Sequence, residues 1–334
     1  MSSVEFVHRV KWLLGAVPIA LLSTLAVAQD EAKPKAEGPK RPAIYDPKAD
    51  ARAQVATATA RARRDNSRVL LMFGYNGCGW CHKLHELFGK NAEIAKLIRD
   101  EYVFVMVDIE SPHADELLLE GKQALANDEL QKGVGFPFLE VLDGAGKVVT
   151  AQRTDPLEEG DHHDPNRVKE FLARWVSEPR DAQEVLGGSL ARATSDDKRL
   201  LLHFGAPWCG WCHRLDDFLS LEEIASILTR DYLDVKIDVD RMKNGKEVLA
   251  KYRSEHSAGI PWCAILDAGG KVLATSDGPK GNIGYPAQPE EIEHFLAMLE
   301  KTRRRIEPEQ LDRIKVLLQE AAVRIKEGLR PVQP

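Results

Sequence analysis

One pentapeptide occurs twice in the chain, as Cys78-Gly79-Trp80-Cys81-His82 and, 131 positions later, as Cys209-Gly210-Trp211-Cys212-His213, and it uses four of the five cysteines. Each copy follows an apolar run, Val69-Leu70-Leu71-Met72-Phe73-Gly74 or Leu200-Leu201-Leu202-His203-Phe204-Gly205. Each also precedes a stretch with helical apolar spacing, Lys83 to Phe88 or Arg214 to Leu219. A short continuous apolar run reads as a strand covered on both faces, so the order strand, dithiol, helix is written twice. Both cysteine pairs then lie at helix N-termini, where unpaired amide N–H groups and the helix dipole favour negative charge. The first sulfur can therefore exist as thiolate near neutral pH, attack a disulfide, and be released from the mixed disulfide by its neighbour three residues on.

The two copies continue in parallel. A second apolar strand follows each helix, Tyr102 to Asp108 and Tyr232 to Asp238. Later come Gly135-Phe136-Pro137-Phe138-Leu139-Glu140-Val141-Leu142 and Gly259-Ile260-Pro261-Trp262-Cys263-Ala264-Ile265-Leu266. Each leads into a hairpin signal, Asp143-Gly144-Ala145-Gly146 or Asp267-Ala268-Gly269-Gly270. Helices are expected before each first strand, from Asp46-Pro47 to about Arg64 and from Asp181 to about Ala193. Others are expected at the end of each copy, from Asp164-Pro165 to Trp175 and from Gln288-Pro289 to about Thr302. The first copy is longer between dithiol and proline, 56 positions from Cys81 to Pro137 against 49 from Cys212 to Pro261, through a polar helical insert around Asp115 to Lys132.

In this combination of motifs the chain resembles the thioredoxin superfamily, twice over, across most of residues 46 to 302. The resemblance implies two tandem α/β domains, each a mixed central sheet flanked by helices. It also implies cis-prolines at Pro137 and Pro261 opposite the sulfurs, where they would present backbone to a bound substrate segment. Cys78 and Cys209 are then the attacking thiolates and Cys81 and Cys212 the resolving ones. The implied activity is thiol–disulfide exchange, with reductase, oxidase and isomerase directions all open, because the Gly-Trp between the sulfurs matches neither Gly-Pro nor Gly-His relatives. No cofactor is implied, since the dithiol carries the electrons. Partners would be cysteine-containing client proteins and an upstream thiol–disulfide electron donor or acceptor.

The organisation that follows is a signal peptide at 1–28, a flexible linker at 29–45, domains at 46–178 and 179–302, and a C-terminal helix and tail at 303–334. Arg9 and Lys11 precede an apolar run from Trp12 to Ala28 that ends Ala26-Val27-Ala28, the pattern of a cleaved export signal. A 17-residue run also reaches the lower limit for a membrane span, so an uncleaved tether stays open. Either outcome exports the dithiols, to a periplasm or to the outside. The mild net charge of −6, with no basic stripe, gives no reason to expect nucleic-acid binding. Glu307-Pro308 opens the last helix, with Leu311, Ile314, Leu317, Leu318, Ala321 and Ile325 on one side. Docking on its own domain is the expectation, with dimerisation or client contact as the alternatives.

The cysteines admit other readings. Cys-x-x-Cys-His is also the attachment signature of c-type haem, but haem attachment requires neither a preceding strand nor a downstream Ile-Pro strand start. A zinc site made from all four motif cysteines would require both domains to share one metal, and no metal is expected. A further alternative is a client-binding or assembly module whose disulfides are structural.

Candidate modulators are His82 and His213, one helical turn after the first sulfurs, and His203 and Lys236. His203 occupies the position of a buried acid in thioredoxin, where the first copy has Met72. Lys236 occupies a place where thioredoxin-like proteins often have lysine, against Met106. Cys263 reads as a small buried residue or as a third thiol near the dithiol, and His162-His163 as a solvated loop.

Overall fold

The computed structural model describes residues 41–123 and 133–329. The expected signal segment and part of the insert around Asp115 to Lys132 lie outside the described residues.

In the first copy, helix α1 (Ala51–Asp65) leads into β1 (Arg68–Gly74), α2 (Gly79–Lys90), α3 (Ala92–Glu101) and β2 (Tyr102–Asp108). Then come α4 (Ala114–Gln123), β3 (Phe138–Leu142), β4 (Val148–Arg153), a two-residue pair β5 (Glu158–Glu159) and β6 (His162–His163), and α5 (Pro165–Arg174). The second copy repeats the order with α6 (Ala182–Ser195), β7 (Arg199–Gly205), α7 (Gly210–Leu219), α8 (Glu222–Leu228), β8 (Tyr232–Asp238), α9 (Gly245–Tyr252), β9 (Trp262–Leu266) and β10 (Val272–Thr275). A small pair β11 (Asp277–Gly278) and β12 (Gly281–Asn282), α10 (Pro289–Thr302) and α11 (Pro308–Lys326) complete it. The sheets have orders β2-β1-β3-β4 and β8-β7-β9-β10. In each, the first two strands are parallel and the last two antiparallel to their neighbours. This is the mixed α/β architecture, twice, that the sequence implies.

The central strands are largely apolar because helices cover both faces, with His203 on β7 and Glu140 on β3 as the buried exceptions. Val69 to Phe73 are each fully buried, and burying one such side chain contributes about 1.5–3 kcal/mol. The register is the same in the two copies. Arg68 pairs with Tyr102 and Gly74 with Asp108, as Arg199 pairs with Tyr232 and Gly205 with Asp238. Met72 therefore faces Met106 across the sheet, where His203 faces Lys236.

The first helix starts later than Asp46-Pro47. Asp46 makes a turn instead: its Oδ1 accepts the Lys48 N–H at 3.0 Å and its carbonyl that of Ala49 at 3.2 Å. The N-cap is Asp50, whose side chain accepts from Ala53. Asp-Pro suits a turn as well as a cap, and the local side-chain bond decides between them. Ile44 and Tyr45, placed by composition in the flexible linker, are fixed to the first copy. Asn76 Oδ1 accepts both their N–H groups, at 2.8 and 2.9 Å, and Asn76 Nδ2 donates to Tyr45 O at 3.0 Å. Helix α11 docks on its own copy. Leu311, Ile314, Leu318 and Ala322 are buried, and Arg313 binds Glu223 through two nitrogens.

Candidate active site

Cys78 and Cys209 are the N-caps of α2 and α7, and each Sγ accepts the N–H of the cysteine three residues on at 3.1 Å. A sulfur thus stands where an Asp or Ser oxygen usually caps a helix, and negative charge on it meets unpaired amides and the positive dipole end. The sulfurs are joined as Cys78–Cys81 and Cys209–Cys212. Exposure is 6% at Cys78 and 4% at Cys209, against 0% at Cys81 and 2% at Cys212, so an incoming group meets the first sulfur of each pair. The peptide bonds Phe136–Pro137 and Ile260–Pro261 are cis. The carbonyl oxygens of Phe136 and Ile260 lie 3.6 Å from Cys78 Sγ and Cys209 Sγ. Pro137 and Pro261 therefore stand beside the sulfurs.

His82 and His213 turn their Nε2 atoms to the loops that precede the dithiols. Their Nε2 atoms lie 2.9 Å from Asn76 O and 2.7 Å from Pro207 O. A carbonyl only accepts, so each ring donates to the loop ahead of its own dithiol and fastens it. His213 Nδ1 also lies 3.2 Å from Arg61 Nη2 of α1, and since a guanidinium only donates, this nitrogen accepts.

Under the second dithiol lies a cluster of charges. His203 is buried, with Nε2 3.0 Å from Asp234 Oδ1 and Nδ1 3.6 Å from Asp216 Oδ1. Lys236 Nζ donates to Asp216 Oδ2 at 2.5 Å and to Asp65 Oδ1 at 2.7 Å. Burial alone would lower the pKa of His203, but the Asp234 and Asp216 carboxylates outweigh it and raise it above 6.5. For Lys236 burial again opposes charge, and Asp216 and Asp65 hold the ammonium above its ordinary value. The first copy has Met72 and Met106 at the two sheet positions, and His85 where α7 has Asp216.

Cys263 lies across the sheet from His203 and packs among Leu201, Leu215 and Phe295, whereas Cys209 and Cys212 pack with Leu202, Phe204 and Trp262. Burial, followed by Asp234 and Asp216, raises the Cys263 thiol above its usual range, which suits a core residue better than a third exchanging thiol.

The two entrances differ. Trp208 and Trp211 are half exposed, and Trp208 Nε1 donates to Asp240 Oδ2 at 2.7 Å. Beside them a groove is lined by Trp208, Val239, Leu249, Gly259 and Ile260. In the first copy Tyr75 packs edge-on to Phe136, and Trp80 is met edge-on by His163 at 5.2 Å. His163 is thus buried rather than in a solvated loop. Pairing of β5 with β6 turns it inward, and burial, then Lys83 and His162, lower it to about 4. Sequence reasoning also missed Asp216 and Asp65, which carry no motif and become partners of Lys236 only through the fold.

Two sheets of this topology, each with a helix-capping dithiol beside a cis-proline, define a tandem protein of the thioredoxin superfamily. The chain belongs to the family described as Thioredox_DsbH, protein of unknown function (DUF255), whose pattern matches residues 49–164 and again 165–317. Spermatogenesis-associated protein 20 of Mus musculus is 33% identical over 79 residues, 23% of this chain and 9% of that protein. Protein disulfide-isomerase erp38 of Neurospora crassa is 25% identical over 195 residues, 55% of this chain and 47% of that one. The chain thus spans less than half the length of these curated relatives. Among solved structures, a disulphide isomerase from Xylella fastidiosa Temecula1 is 27% identical, over 39% of this chain and 95% of that chain, with a TM-score of 0.32.

Proposed function

We propose that the chain is a thiol–disulfide oxidoreductase that exchanges disulfides with cysteines of exported proteins through both Cys-Gly-Trp-Cys pairs. The observation that carries this reading is the placement of each first sulfur. It caps a helix, it is the more exposed of its pair, and it lies against the carbonyl that precedes a cis-proline. A client strand laid along that backbone would bring its own sulfur to Cys78 or Cys209. A client thiolate then attacks the first sulfur, the bond to the second sulfur breaks, and Cys81 or Cys212 leaves as thiolate. A second client thiolate attacks the mixed disulfide and expels the first cysteine as thiolate, so the client gains one disulfide and the pair is reduced by two electrons. The same steps reversed reduce a client, and an upstream thiol–disulfide partner resets the pair. The export reading of residues 1–28 supports clients outside the cytoplasm, in a periplasm or the medium, where disulfides persist.

The test is trapping. In the full chain, Cys212→Ser leaves Cys209 without its resolver and is expected to accumulate mixed disulfides with exported proteins, whereas Cys209→Ser is not. Accumulation by neither folded variant would favour structural disulfides and overturn the reading for that copy.

A further inference from the structure

We propose that the Tyr45 phenol is the hydrogen-bond donor to the Cys81 sulfur when the first pair is reduced, filling in the first copy the place that the Lys236 side chain fills in the second. The proposal deepens the exchange reading and rests on it for its purpose.

Tyr45 is 4% exposed and packs with Cys78, Cys81, Met72 and Leu139, yet its hydroxyl has no hydrogen-bond partner among the described residues. Its position beside the sulfur follows from Gly74, the last residue of β1. A Cβ added there would lie 2.4 Å from Tyr45 Oη and 2.5 Å from Cys81 Sγ, so these atoms are no further apart than the sum of those distances. Gly205 is the matching glycine of the second copy. A Cβ there would lie 3.4 Å from Cys212 Sγ and 4.0 Å from Lys236 Cε, with no tyrosine near. Sheet register puts Met106 where Lys236 stands, so the first copy has no cation on β2 at that place. The donor arrives instead from ahead of α1, held by the three Asn76 hydrogen bonds in the loop that carries Cys78.

A buried hydroxyl without a partner is unfavourable, and a disulfide sulfur is a poor acceptor. A thiolate is a strong one, and a charged acceptor roughly doubles the strength of the bond. Burial, then the Asp108 carboxylate, raises the phenol above its usual range, so it stays protonated and keeps a hydrogen to donate. Asp108 at the end of β2 is the charged group that acts on the phenol, and α2 carries His82, Lys83, His85, Glu86 and Lys90. The His82 ring is committed to Asn76 O, and the sheet positions beneath are Met72 and Met106. When Cys81 leaves as thiolate, or must lose its proton to attack Cys78, the Tyr45 O–H meets the charge.

The experiment uses the full chain carrying Cys209→Ser and Cys212→Ser, so that the first pair alone reports, with and without Tyr45→Phe. The Phe ring keeps the packing and removes only the oxygen. Equilibrated against glutathione buffers, Tyr45→Phe is expected to move the dithiol–disulfide equilibrium about tenfold toward disulfide, the scale of one hydrogen bond to a charged group. In a further Cys78→Ser background, the ultraviolet absorbance of the Cys81 thiolate should appear at higher pH in Tyr45→Phe. A second measurement needs no substitution at Tyr45: ring signals of isotope-labelled Tyr45 should shift on reducing the first pair and not on reducing the second. An unchanged equilibrium with unchanged titration and signals would overturn the proposal. Neither measurement needs a protein client, so a chain that traps no client yet shows these shifts would count against the exchange reading alone.

Discussion

Glu140 stands on β3 opposite Leu71, as Ala264 stands opposite Leu202 in the second copy, and it is 1% exposed. Its Oε1 has no hydrogen-bond partner among the described residues, and α4 leaves it room only because residue 121 is glycine: a Cβ there would lie 1.7 Å from Oε1. Burial, then the nearby Glu120, raises this carboxyl to about 8 from 4.5. Between those values the unfolded chain has lost the proton that the folded chain keeps. Stability therefore falls as pH rises through the window, and the dependence ends below 4.5 and above about 8. Glu140→Gln removes it. The stability of this variant relative to the parent, from urea denaturation, should grow from pH 5 to pH 8 by up to about 4 kcal/mol. Parallel pH profiles would show that Glu140 ionises freely in the folded state.

At the level of elements, β7 and α7 carry the same fold as β1 and α2 with different chemistry underneath. His203, Asp216 and Lys236 under the second pair replace Met72, His85 and Met106, and half-exposed Trp208 precedes the second dithiol where Gly77 precedes the first. With groups there that hold and move charge, the second pair should be the faster exchanger. With one pair at a time silenced by Cys→Ser in the full chain, the chain retaining Cys209–Cys212 is expected to reduce a model disulfide at pH 7 at least about fivefold faster. Equal rates would mean that the buried charges do not set reactivity. The strands, the dithiols at helix starts and the proline positions were legible because each is a local pattern: an uninterrupted apolar run, a fixed spacing, an X-Pro ahead of a strand. Tyr45 was not, since one aromatic residue after a long polar stretch has no periodicity. Nor was the turn of His82 and His213 toward carbonyls six residues back, which depends on the path of the loop and not on helical spacing.

For the whole molecule, the end of α1 is built into the second copy. Arg241 donates to the carbonyls of Asp65 and Asn66, at 2.8 and 3.0 Å, and to Glu101 Oε2 at 2.7 Å, so it satisfies the last turn of the first copy's helix. Arg64 reaches Ser220 Oγ, and Arg61 reaches His213, which in turn holds Pro207 O ahead of Cys209. Between these groups lies a cavity of about 30 Å³ lined by Arg61, Asp65, Pro207, His213, Lys236 and Arg241. Asp65 is the link to the chemistry, since it shares Lys236 with Asp216. Burial would raise its pKa, but Lys236, then Arg64 and Arg61, lower it below 3.8. Its contribution to stability is therefore complete above that pH and is lost as pH falls through the lower folded value. That of Lys236 is complete below 10.5 and is lost as pH rises through its raised value. Near neutral pH both charges are in place, so the first copy helps to set the electrostatics under the second dithiol, and separated halves would not preserve it. Asp65→Asn in the full chain should slow disulfide exchange by Cys209–Cys212 about fivefold at pH 7 and leave Cys78–Cys81 unchanged, each read with the other pair silenced. Equal slowing of both pairs would point to general destabilisation, and no slowing of either would mean that Asp216 alone suffices to hold Lys236.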